Sequence, residues 1–147
     1  MMNREVLPPL PQLYEEDETA WLDEMARLVA ERRFAELDAE HLSEFLSDMA
    51  RRDRREVLSR LVILLTHLLK WEHQPQQRTK SWEAKILHQR EELQDLLESG
   101  TLRNYAREVL AKAYERAARQ AMLETGAEEG AFAAACPWPL EELVPEE

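Results

Sequence analysis

Most of the residues in this chain that could do chemistry fall in two short stretches: His67, Lys70 and Trp71 in the first, and Arg78, Trp82, Gln89 and Arg90 in the second. An imidazole exchanges protons near neutral pH, Lys and Arg hold anions, and indole faces wall a ligand. His67 therefore reads as an acid/base or hydrogen-bonding group, Lys70, Arg78 and Arg90 as an anion cradle, and Trp71 and Trp82 as stacking walls. Gln89 and Arg90 stand between Ile86 and Leu93 on a helical stripe, and His67 stands between Leu64 and Trp71 on another. Polar groups on inward stripes cost on the order of a few kcal/mol unless they find partners. The same residues thus also fit a structural network, with Gln89 bridging the backbone of 72–80, Arg90 paired to Glu44 or Asp48, and His67 a satisfied core histidine. Interior polar residues of helical domains are more often structural than catalytic, which favours the network. Either way His67, Gln89 and Arg90 are expected close together.

No catalytic set accompanies them. The chain has no phosphate-cradling glycine loop, no nucleophile elbow and no zinc-protease helix motif. Cys136 is the only cysteine, which excludes an intrachain disulfide and a cysteine zinc cluster. Histidines 41, 67, 73 and 88 fall in four different segments, so neither a metal site nor a cofactor is expected, and no residue is assigned as catalytic.

The elements that must position these residues are helices. Residues 1–16, with Pro8, Pro9 and Pro11, read as an extended arm. Trp21, Met25, Leu28 and Val29 recur at helical spacing after Asp17 or Thr19 as cap, and predict a first helix to about Arg33. Asp38 opens a second, carrying Leu42, Phe45, Leu46 and Met49. Asp53 followed by Glu56 matches a capping box and predicts a third helix starting there, apolar nearly all round from Leu61 to Leu69 and ending near Trp71. Thr79 or Ser81 caps a fourth, whose Trp82, Ile86, Leu93, Leu96 and Leu97 form one inward stripe. A fifth runs from about Leu102, capped by Thr101, to Gly126, and its Ala113, Ala117 and Ala121 offer a face that another helix can approach closely. With no period-two alternation, the expectation is all-α: a single compact domain of about five helices, bundle or orthogonal array. Its helical body covers 17–126, and an irregular tail 127–147 packs back.

Charge narrows the partners. The net charge of −11 opposes general attraction to phosphate backbones or anionic lipid. Residues 51–90 nevertheless carry 10 Lys and Arg against 4 acids, and the rest of the chain 9 against 26. A basic middle of this kind serves an anionic partner or pairs with the chain's own acidic flanks, and the second is the commoner arrangement. The longest apolar stretch is far short of the roughly 20 residues a membrane span needs, and the start carries no apolar run of signal-peptide length. A cytoplasmic protein with no membrane association is expected.

Several motifs carry a resemblance that covers nearly the whole chain in order. HLLKW (67–71) is followed by Gln74 and Pro75, Arg78, Ser81 and Trp82, and Gln89 and Arg90. Asp17, Trp21, Leu37, Asp38 and Tyr114 match as well, as do ETG at 124–126 and Cys136 with Pro137. The chain resembles the bacterial family known as domain of unknown function twenty-nine. It departs from that pattern at His41, where Asn is usual, at His73, where an aromatic is usual, and around 45–47, where the family is more acidic. The resemblance implies a small all-helical bacterial protein and no established activity or catalytic residues. Three functions compete: a non-enzymatic helical interaction module with a protein partner or self-association, which leads by elimination; a nucleic-acid accessory protein using 51–90; and an enzyme or small-anion binder built on His67, Lys70, Arg78 and Arg90.

Overall fold

In a computed structural model, which describes residues 7–146, Pro9 and Pro11 open a helix instead of preventing one. Helix α1, Leu10–Glu16, takes Pro9 as N-cap and holds Pro11 in its first turn, where the missing N–H has no intrahelical partner to lose. The extended arm expected over 1–16 is corrected accordingly for Leu10–Glu16, and residues 1–6 lie outside the described residues. The Asp17 carboxylate accepts from the Ala20 amide at 3.1 Å and caps α2, Glu18–Ala30. Arg32, at φ 58°, turns the chain out of that helix into a short 3-10 turn, Phe34–Glu36.

A second correction concerns the middle of the chain. Helix α3 is a single 35-residue element, Ala39–His73, and does not restart at Asp53. An Asp three residues before a Glu can cap only where the backbone leaves the helix. Residues 49–56 hold no Gly or Pro and are rich in Arg, with Met49, Ala50 and Glu56 beside them, all good helix formers that favour continuation. A 3-10 turn at Pro75–Gln77 leads to α4, Lys80–Leu96, whose N-cap Thr79 accepts from the Trp82 amide at 3.2 Å. Ser99, rather than Thr101, caps α5, Gly100–Thr125, and accepts from the Leu102 amide at 3.2 Å. Gly126 ends α5 in the left-handed conformation at φ 68°, with its amide donating to the Met122 carbonyl. The tail contains one short helix, α6, Leu140–Leu143. The protein is all-α, with no strand among the described residues.

The contacts group into two compact units, with the boundary between Ala50 and Arg51. The core of the first is Leu13, Trp21, Met25 and Leu28, flanked by Leu10, Tyr14, Leu37, Leu42 and Phe45. Leu13 comes from α1, so the prolines position a core residue. The core of the second is larger. Val57, Leu61, Leu64, Leu65 and Leu69 of α3 meet Ile86, Leu93 and Leu97, the alanines of α5, and Leu140, Leu143 and Val144 of the tail. Ala106, Ala113, Ala117 and Ala121 are fully buried in this core, so the small-residue face of α5 accommodates the chain's own side chains.

Candidate functional site

The polar cluster expected around His67 is distributed over three places in the second unit. His67 and Gln89 line one cleft of about 500 Å3 between α3 and α4, together with Ile63, Ser81, Ala84, Lys85 and His88. Nδ1 of His67 lies 2.8 Å from the Ile63 carbonyl, which can only accept, so Nδ1 carries the proton and donates. Nε2 is left as the ring nitrogen for other partners. Oε1 of Gln89 accepts from Arg60 at 3.2 Å, and Arg60 is in turn held by Glu56 at 2.9 Å and Glu92 at 3.7 Å. The Gln89 carbonyl is thereby committed, and its NH2 group remains to donate.

The cations assigned to an anion cradle go elsewhere. Nζ of Lys70 lies 5.0 Å from the centre of the Trp82 ring and 3.9 Å from Glu124. The Arg78 guanidinium stacks over Trp71 at 4.8 Å while its Nε donates to the Trp71 carbonyl at 2.8 Å. Each indole assigned as a stacking wall thus already has a cation of its own chain against it. Trp82, expected on the inward stripe of α4, is half-buried, whereas Ile86 and Leu93 of that stripe are buried. Arg90, expected to pair with Glu44 or Asp48, instead donates from its Nε to the Leu143 carbonyl of its own unit at 3.0 Å.

That bond belongs to a strap. Nε2 of Gln94 donates to the Pro145 carbonyl at 3.2 Å, and the buried Arg103 reaches the carbonyls of Leu97 and Val144 at 3.3 and 3.4 Å. Three side chains of α4 and α5 therefore satisfy successive carbonyls of the tail, which lets Leu143 and Val144 enter the core without stranded backbone acceptors. The apolar pattern of residues 102–106 does not announce a buried Arg103. Ser81, Lys85 and His88 were also missed. They lie with Ala84 at 81, 84, 85 and 88, a helical face as regular as the apolar stripe, but regularity alone does not say that this face meets α3.

A second and larger groove, about 890 Å3, lies between α5 and the segment 129–138. From α5 it takes residues 107, 110, 111, 114, 115, 118, 119 and 122, a continuous face about 22 Å long at 1.5 Å per residue. Ala111 and Ala118 keep its floor low, Leu110 and Met122 are apolar, and Ala133, Cys136 and Trp138 line the opposite side. The Tyr114 hydroxyl donates to the Ala133 carbonyl at 2.6 Å and fastens the segment to α5. Burial pushes the Cys136 thiol above its ordinary value, and its Sγ lies 3.3 Å from the Trp138 carbonyl.

A polar group in the first unit centres on Asp38. Oδ2 of Asp38 accepts from Nε1 of the buried Trp21 at 3.2 Å and from Nδ1 of His41 at 2.8 Å. Its Oδ1 lies 3.4 Å from the His41 amide. The His41 ring stacks on Tyr14 at 4.4 Å, with Nε2 3.9 Å from Glu15. Burial raises the Asp38 carboxyl, but the bonds from His41 and Trp21 outweigh it and hold the group below its ordinary range. His41 is correspondingly held above its ordinary value, first by the Asp38 bond.

Helix content, two helical cores and these clefts define an all-helical protein without a membrane-crossing helix among its described residues. The model of the family described as domain of unknown function DUF29 matches residues 13–147, nearly the whole chain. The chain belongs to this family. No curated protein and no solved structure matches it.

Proposed function

We propose that this protein is a non-enzymatic interaction module that takes a cationic amphipathic helix of a partner protein into the groove between α5 and 129–138. The carrying observation is the shape and lining of that groove: four turns of one helix face, floored by alanines and flanked by apolar side chains. A helix laid there finds a low floor for close approach and apolar positions at the spacing its own i, i+3, i+4 residues repeat.

Charge selects the occupant. Residues 104–146 carry eight Glu against four Lys and Arg. The arginines in the groove already have partners, with Arg107 3.2 Å from Glu141 and Arg119 3.5 Å from Glu115. Glu129, on the opposite side, has no ion-pair partner among the described residues. A net −11 chain repels a second copy of itself and attracts a basic segment.

A photo-crosslinking side chain placed at the exposed Ala111, with Ser59 as a control position, tests this in the native host. The expected product joins position 111 to a basic segment with apolar residues at i, i+3, i+4 and i+7, while position 59 does not yield it. Crosslinks confined to another copy of this chain, to an acidic or extended segment, or to nothing overturn the proposal.

A further inference from the structure

We propose that the cleft between α3 and α4 binds a small hydroxylated organic anion, such as a sugar phosphate or a sugar acid. The lining contains no carboxylate, although the chain as a whole carries 30 acids against 19 Lys and Arg. Lys85 is exposed and has no ion-pair partner among the described residues, so its ammonium is available to an anion. The Gln89 amide, with its carbonyl committed to Arg60, adds two N–H donors to the same cleft, and the Ser81 hydroxyl adds a third group. These groups suit the oxygens of a phosphate or carboxylate.

The other half of the cleft asks for a hydroxyl. Because Nδ1 of His67 donates to the Ile63 carbonyl, the neutral ring presents Nε2 as an acceptor, which a ligand O–H satisfies and a bare anion does not. Ile63 and Ala84 supply an apolar patch for the carbon skeleton. A volume of about 500 Å3 admits a pentose or hexose derivative and lies within the usual range of small-molecule sites. This inference shares no residue with the helix groove and stands independently of the interaction proposed there.

The test is an NMR titration of the full chain with four probes: ribose 5-phosphate, gluconate, neutral ribose and inorganic phosphate. The expected result is a saturable shift of the His67, Lys85 and His88 resonances with ribose 5-phosphate or gluconate, the stronger of the two identifying the anionic group. Ribose and inorganic phosphate alone bind at least about tenfold more weakly, since each lacks half of the recognised chemistry. Lys85→Gln, an exposed change that leaves the core intact, weakens binding about fivefold or more, and Lys112→Gln on the exposed side of α5 does not. The proposal is overturned by the absence of saturable binding in the millimolar range. Inorganic phosphate binding as well as the hydroxylated probes, or equal affinity in Lys85→Gln, overturns it too.

Discussion

Arg90 and Leu143 are joined by a 3.0 Å hydrogen bond from the guanidinium Nε to the backbone carbonyl, across 53 residues of chain. Leu143 is buried at 1 % exposure, so its carbonyl depends on a protein donor. A side chain on α4 thereby holds the tail in the core. Arg90→Leu leaves that acceptor unpaired, with an expected loss of about 1–3 kcal/mol in stability. Urea unfolding measures the loss, and hydrogen exchange should quicken at 140–144 before the rest of the second unit. Unchanged exchange there would show that the apolar contacts of Leu140 and Val144 hold the tail without Arg90.

Two tryptophans separate a core role from a surface role. Trp21 is fully buried and donates to Asp38, whereas Trp82 is half-buried with Lys70 against its ring. Trp21→Ala is expected to destabilise by about 3–5 kcal/mol, a large fraction of what a domain of this size has to lose. Trp82→Ala removes chiefly a cation–π contact and partial packing, with an expected loss of about 1 kcal/mol. Chemical denaturation of both variants makes the comparison, and equal losses would contradict the assignment.

Asp53 lies on the exposed face of an unbroken helix. Asp53→Ala should therefore be neutral or stabilising by a few tenths of a kcal/mol, because Ala is the better interior helix former. A helix-starting Asp would instead cost about 1 kcal/mol on the same change. Asp53→Pro should cost about 3 kcal/mol or more by interrupting α3. Thermal melting of the pair distinguishes an interior position from a cap.

The Asp38–His41 pair gives the first unit a pH optimum. His41 titrates above its ordinary 6.5 in the folded protein, so its contribution is complete below that value and disappears as pH rises through the raised one. Asp38 titrates below its ordinary 3.8, so its contribution is complete above that value and disappears as pH falls through the lowered one. Both are present between about 4 and 6.5. His41→Gln should therefore flatten the alkaline limb of a melting-temperature profile and also weaken the acid limb, where only the bonds from the His41 amide and Trp21 still lower the Asp38 carboxyl. An NMR titration placing the His41 ring at or below its ordinary value would contradict this.

Local pattern carried the helical elements far. Asp17, Asp38 and Thr79 cap where their side chains reach first-turn amides, Gly126 ends α5 because its φ is positive, and the leucines between 57 and 69 supply the core stripe. These features depend on residues within a turn or two of each other, which is why spacing reveals them. The same locality misled at two points. Asp53 and Glu56 have the composition of a helix start but no break in the backbone to cap, and the prolines of α1 stand where a helix tolerates them.

The assignment of polar groups to partners was not legible in the same way. His67, Gln89 and Arg90 each interrupt a stripe, and the pattern treats them alike. In the fold, His67 and Gln89 share a cleft while Arg90 reaches a carbonyl 53 residues away. Lys70 and Arg78 read as available cations but cover Trp82 and Trp71, and the alanine face of α5 read as one that a helix can approach closely without showing that the approaching side chains are the protein's own. The sequence by itself determined that this is an all-helical protein, where most helices begin and end, and which residues are apolar enough to bury. Only the tertiary structure decided which face of each helix is covered and which donor meets which acceptor. Helical periodicity is a property of neighbours along the chain, whereas pairing depends on segments brought together from dozens of residues apart.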